Sequence, residues 1–141
     1  MIEQDAVMAT LEDYATAYCA KDIDALMNIF DDEKNISLIG TGEDELCGGR
    51  EAVKRVFLRN FEEATANQFE WHWRHIIITG DQAVVAISLT IHLDYCGDAL
   101  KVPVRWTVAL RKINDHWRWL HRHASAAASG QTEGEAYPTD D

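Results

Sequence analysis

From Phe69 to Ser125 the chain alternates apolar and polar residues through four successive runs, each closed by a turn signal. Phe69, Trp71, Trp73 and His75 alternate with Glu70, His72 and Arg74, and Gly80-Asp81 ends the run. Val85, Ile87, Leu89, Ile91 and Leu93 then alternate with Ala86, Ser88, Thr90, His92 and Asp94 up to Gly97-Asp98. Leu100, Val102, Val104, Trp106, Val108 and Leu110 repeat the pattern, and Asn114-Asp115 leads into Trp117 through Ser125. A period of two means strands with one buried face. Short turns between consecutive strands mean an antiparallel meander. Runs this long, against the roughly 5–6 residues of an ordinary strand, require a strongly curled sheet.

The first half has a different period. Val7, Leu11, Tyr14 and Tyr18 recur at helical spacing and share one face. Asp22 is an N-cap for a short second helix carrying Leu26, Ile29 and Phe30. Ile36, Leu38 and Ile39 before Gly40-Thr41-Gly42 read as a short strand and turn, and Gly48-Gly49 breaks the chain again. Val53, Phe57, Phe61 and Ala64 mark a third helix. Three amphipathic helices beside one half-buried sheet give an α+β architecture, with the helices on the concave face.

At 141 residues this is one domain, taken as residues 1–128. Residues 129–141 carry four acids and no bases and are expected to be a mobile acidic tail. A formal charge of −11 opposes nucleic acid and anionic membranes, so neither is expected as a partner. The longest strictly apolar stretch, Ala83 to Ile87, cannot span a bilayer. Three widely spaced cysteines without a Cys-x-x-Cys pair, and an acidic start where a signal peptide is basic, predict a cytoplasmic protein with reduced thiols.

The order of elements and several strings together resemble the SnoaL-like branch of the nuclear transport factor 2-like superfamily over roughly residues 4–128. The strings are Tyr14, Tyr18, Asp22, Asp24 and Leu26 in the first helices, Ile39-Gly40-Thr41-Gly42, Gly49-Arg50-Glu51, Gly80-Asp81-x-Ala83, Arg105-x-Thr107, and Trp117-Arg118 with Leu120, His121, His123 and Ser125. The resemblance implies a cone-shaped fold enclosing a pocket, and back-to-back dimers through the sheet. The superfamily holds isomerases, dehydratases, cyclases and association domains, so the fold alone assigns no activity.

Tyr14 matches the oxyanion-stabilising tyrosine of ketosteroid isomerases in that superfamily, where a buried phenol can donate to a developing enolate. Their acids have no counterpart: Ser37-Leu38-Ile39-Gly40 and Val108 stand at the corresponding places. His75 shares the phase of Trp71 and Trp73 and is the candidate base, with Asp13 or Asp22 the nearest acids. A structural histidine at the pocket floor is the competing reading. Arg122, in phase with Leu120 and Ala124, would favour an anionic ligand if it faces inward. His121-x-His123 has metal-ligand spacing but no third ligand in phase, so no metal and no cofactor are expected.

Trp71, Trp73 and Trp106 are interior by phase and would wall a pocket for a flat or aromatic body. The resulting expectation is a small-molecule-binding domain whose organic ligand has an anionic end. An isomerase or lyase working through His75 and Tyr14, and a pure association domain, are the alternatives. Trp117, Trp119, His121 and His123 are expected on the outer face, too aromatic to stay in water, which predicts a homodimer over that sheet face.

Overall fold

The computed structural model describes residues 2–139. Helix α1 (Glu3–Cys19) is followed by α2 (Ile23–Met27), β1 (Ser37–Ile39), β2 (Leu46–Gly48), α3 (Arg50–Glu63), β3 (Thr65–Thr79), β4 (Gln82–Tyr95), β5 (Asp98–Ile113) and β6 (His116–Ser125). The strands form one six-stranded sheet in the order β2-β1-β6-β5-β4-β3. Among the pairings of these six strands only β1–β6 is parallel. This is the α+β fold the sequence predicts, with a cone-like curled sheet and three helices. Strand β2 is an addition, lying in a stretch that composition alone marks as turn and chain break.

The helices dock as their spacing requires. Val7, Leu11 and Tyr14 of α1 are buried, and so are Val53, Phe57 and Phe61 of α3. Asp22 caps α2, its carboxylate accepting from the Ala25 amide at 3.1 Å. Polar groups pin α1 in place: Glu3 accepts from Lys112 Nζ at 2.7 Å and from Trp117 Nε1 at 2.9 Å, and Thr10 Oγ1 accepts from Trp119 Nε1 at 2.9 Å. A tryptophan can be buried at low cost when its single donor is satisfied in this way.

Strands β4 and β5 keep strict alternation. Ile87 and Leu89 are buried beneath the helices, while Ser88 and Thr90 lie on the other side; Val104, Trp106, Val108 and Leu110 repeat this along β5. The flanking strands do not. In β3 the register steps from Trp71↔Leu89 to Arg74↔Ile87, leaving one extra residue. In β6 it steps from Leu110↔Trp119 to Ala109↔His121, and Leu120 is the extra residue. Each bulge reverses the phase beyond it.

Two expectations are corrected as a result. Past the first bulge Ile76 and Ile78 pack against the core, and Trp73 and His75 move to the outer face. Before the second bulge Trp117 and Trp119 are core residues, not outer-face ones, and Trp119 is fully buried. Trp117 and Trp119 are therefore removed from the expected homodimer face, of which His121 and His123 remain on the outer side. Among the described residues no helix is long and apolar enough to cross a membrane, and the three cysteines are free thiols. Residues 126–139 are irregular, and residues 140 and 141 of the acidic tail lie outside the described residues.

Candidate functional site

The curl of the sheet leaves a cavity of about 190 Å³ between its concave face and helices α1 and α3. Its aliphatic wall comes from β4 and β5: Ile91, Val102 and Val104. Phe69 of β3 and Leu38 of β1 close the sides. Helix α1 contributes Tyr14 and Tyr18 one turn apart, and α3 contributes Asn60. Their rings are part of one aromatic cluster, with Tyr14 stacked on Trp119 at 4.9 Å and edge-on to Trp106 at 5.0 Å.

The cavity holds one buried cation. Arg122, 8% exposed, lies with its guanidinium 5.1 Å above the Trp106 ring, and its Nη1 donates to the Tyr14 hydroxyl at 3.0 Å. Among the described residues its buried Nε has no protein acceptor and no carboxylate pairs with it. An uncompensated guanidinium away from water is unfavourable, and the Trp106 face offsets only a small part of that. Tyr14 cannot supply the missing charge. Burial pushes its titration far above the ordinary range, against a smaller downward pull from Arg122. It remains a phenol, accepting from Arg122 while keeping its own proton to donate.

A carboxylate does border the cavity, and sequence reasoning missed it. Glu45 sits in the turn before β2, where its Oε1 accepts from the Gly42 amide at 2.7 Å and its Oε2 pairs with Arg59 Nη2 at 2.7 Å. The side chain folds back so closely that a Cβ on Gly40 would lie 2.5 Å from Oε1, and one on Gly42 2.8 Å. The Gly40-Thr41-Gly42 string therefore serves this close approach, and it was the one signal that could have pointed to Glu45. With its charge engaged by Arg59, Glu45 leaves Arg122 unmatched.

Among the expected site residues, Tyr14, Trp106 and Arg122 are brought together. Trp71 is half-buried and touches Trp106 from the side, at 6.0 Å, without being part of the cavity lining. Trp73 is 63% exposed on the outer face. His75 is exposed beside it, the two rings stacked at 6.3 Å. The sheet itself separates His75 from the cavity, so it cannot act as a base on anything bound there. Among the described residues that line the cavity there is no histidine. His121 is bonded through Nδ1 to Ser37 Oγ at 2.7 Å and ties β6 to β1.

Comparisons with known proteins agree with the fold. A family model described as a SnoaL-like domain matches residues 7–129. The fold is similar to that of a provisionally assigned dehydratase of the nuclear transport factor 2-like family from Streptomyces avermitilis, with a TM-score of 0.80 at 21% identity over 89% of this chain and 96% of that one. It is also similar to a ketosteroid isomerase-like protein from Erwinia carotovora atroseptica, with a TM-score of 0.75 at 20% identity over 92% and 100% of the two chains. A nuclear transport factor 2-like protein from Cytophaga hutchinsonii gives 0.73 at 17% identity over 89% and 99%. No functionally curated protein matches the sequence.

Proposed function

Because the chain belongs to the SnoaL-like domain family, and because its cavity carries a buried cation without a counter-charge, we propose that it binds a small organic molecule whose anionic end sits against Arg122. The supporting observation is that guanidinium. Among the described residues no carboxylate pairs with it, so an anion entering the cavity gains a charge-assisted hydrogen bond in a low-dielectric site and relieves an existing penalty. Tyr14 adds a second donor beside it. An anion with two acceptor oxygens, such as a carboxylate, matches this pair of donors.

A reaction is not part of the proposal. An isomerase or lyase needs a base beside the bound ligand, and the carboxylate bordering the cavity, Glu45, is engaged by Arg59 and the Gly42 amide. Tyr14 and Arg122 act here as binding groups. Calorimetric titration of the wild type and Arg122→Met with phenylacetate tests the reading: the wild type should bind, and the variant should lose at least tenfold in affinity. Equal binding by both proteins would overturn it.

A homodimer through the sheet is supported by a band that keeps His121 and His123 of the expected set and replaces Trp117 and Trp119 with residues of β3 and β4. Trp73, Ile77 and Val84 are exposed on the outer face. Ile77 pairs with Val84, and His75 with Ala86, in adjacent positions of β3 and β4. Ala86 and Val84 continue into Thr107 and Ala109 of β5, and these into His123 and His121 of β6. The proposed interface is this band of small and apolar side chains with Trp73 at one end.

A further inference from the structure

We propose that the ligand is an amphipathic carboxylate with an aliphatic tail, its head at Arg122 and its tail running outward along β4 and β5 to the end of the cone. The inference rests on the anion-binding reading above and adds the nature and direction of the rest of the molecule. A second hollow of about 350 Å³ adjoins the inner cavity, and Tyr18 and Asn60 line both. Cross-strand pairs on the inner face connect the two spaces. Ile91↔Val102 lies in the inner one and the next inward pair, Leu93↔Leu100, in the outer one. From Val104 to Leu100 the strand advances by about 13 Å, so the path is long and narrow.

The chemistry along the path is graded. Its inner end has Arg122 and the Tyr14 phenol; its middle has Ile91 and Val102; its outer end has Leu93, Tyr95 and Leu100. Tyr95 and Leu100 are 41% and 45% exposed, apolar surface that water covers when no tail is present. Glu63 stands at the same outer end, at the C-terminus of α3. A carboxylate head would be repelled there and attracted at Arg122, so charge sets the direction of entry. The rings of Tyr14, Phe69 and Trp106 gather at the inner end, and the branched aliphatic side chains of β4 and β5 that continue outward from them suit a chain. Two of the three tryptophans that would have gripped a ring, Trp71 and Trp73, are absent from the cavity lining.

The test is a calorimetric series of straight-chain carboxylates from butanoate to octanoate, with octanamide as the uncharged control and phenylacetate as the short reference. Affinity should rise about fourfold for each methylene, the ratio that follows from burying one CH2. Leu100→Ser, a change at a partly exposed position, should weaken octanoate about tenfold and leave butanoate unaltered. Leu93→Ser should do the same if Leu100→Ser fails to fold. Octanamide should bind at least tenfold more weakly than octanoate. Equal affinities across the series, or octanoate binding untouched by both serine variants, would overturn the tail while leaving the anion site standing. No binding by any carboxylate, or octanamide as tight as octanoate, would overturn the anion site itself.

Discussion

Arg122 Nη1 of β6 donates to the Tyr14 hydroxyl of α1 at 3.0 Å, across the interior of the cone and over the face of Trp106. This joins the last strand to the first helix through the one buried cation in the cavity. It also sets the protonation of the pair: burial keeps Tyr14 a phenol, so its oxygen accepts from the arginine and its hydrogen points elsewhere. The Arg122–Tyr14 pair thus offers donors and no negative charge, a polarity suited to an anion, while the Glu45 carboxylate at the border is engaged by Arg59 and the Gly42 amide.

The two partners should respond oppositely to removal. Arg122→Met replaces a buried unpaired cation with an apolar side chain of similar length, a change that is neutral or stabilising, by up to about 2 kcal/mol. Tyr14→Phe keeps the cation and deletes its acceptor, costing about 1–3 kcal/mol. Urea unfolding of both variants beside the wild type reads the difference. Strong destabilisation by Arg122→Met would mean that the arginine stabilises the fold rather than waiting for a ligand.

Acid stability should depend on a residue far from the cavity. Asp31 is 2% exposed and accepts from Arg111 Nε at 2.5 Å and from the Glu33 and Lys34 amides. The Arg111 bond, helped by those amides, holds its carboxyl down from 3.8 to about 2 against the opposing effect of burial. A folded-state pKa below the unfolded one contributes stability that is complete above about pH 5 and is lost as the pH falls from about 4 to 2. The amount is about 2 kcal/mol. Asp31→Asn should be destabilised at pH 7, and its deficit against the wild type should shrink towards pH 2 in urea midpoints measured at each pH. A constant deficit would show that the titrating group is another residue.

Trp73→Glu and Ile77→Glu introduce charge into the outer band without touching the core. Light scattering should report a dimer for the wild type and the 16.0 kDa monomer for both variants. A wild-type monomer at micromolar concentration would remove the proposed interface.

His75→Ala should leave ligand affinity unchanged, because the sheet stands between the imidazole and the cavity. As an exposed substitution it should shift stability by no more than about 0.5 kcal/mol. Phenylacetate titration of this variant checks the point. A loss of affinity would mean that the ring reaches the site.

The fold was legible because β4 and β5 hold an unbroken period of two, and because Val7, Leu11 and Tyr14 hold a helical one. Half of the site was legible for the same reason: Trp106 lies on an unbulged strand, and Arg122 falls after the bulge in β6, in step with Ala124. The rest was lost to two single-residue insertions. An extra residue between Trp71 and Arg74 turned His75 outward, and Leu120 as an extra residue turned Trp117 and Trp119 inward. Nothing in composition marks either position as a bulge, since no glycine stands there. Glu45 was hidden differently, being set by a turn whose geometry depends on Gly40 and Gly42 and not on any periodicity.

The unmatched guanidinium of Arg122 is the proposed anion site. It is tested most directly by nuclear magnetic resonance of the Arg122 Nε–H group in isotope-labelled protein, with phenylacetate and octanoate added in turn. This resonance, whose donor has no protein acceptor among the described residues, should move downfield and exchange more slowly with solvent as each carboxylate saturates the site. A resonance that keeps its position and exchange rate at saturating carboxylate would contradict it.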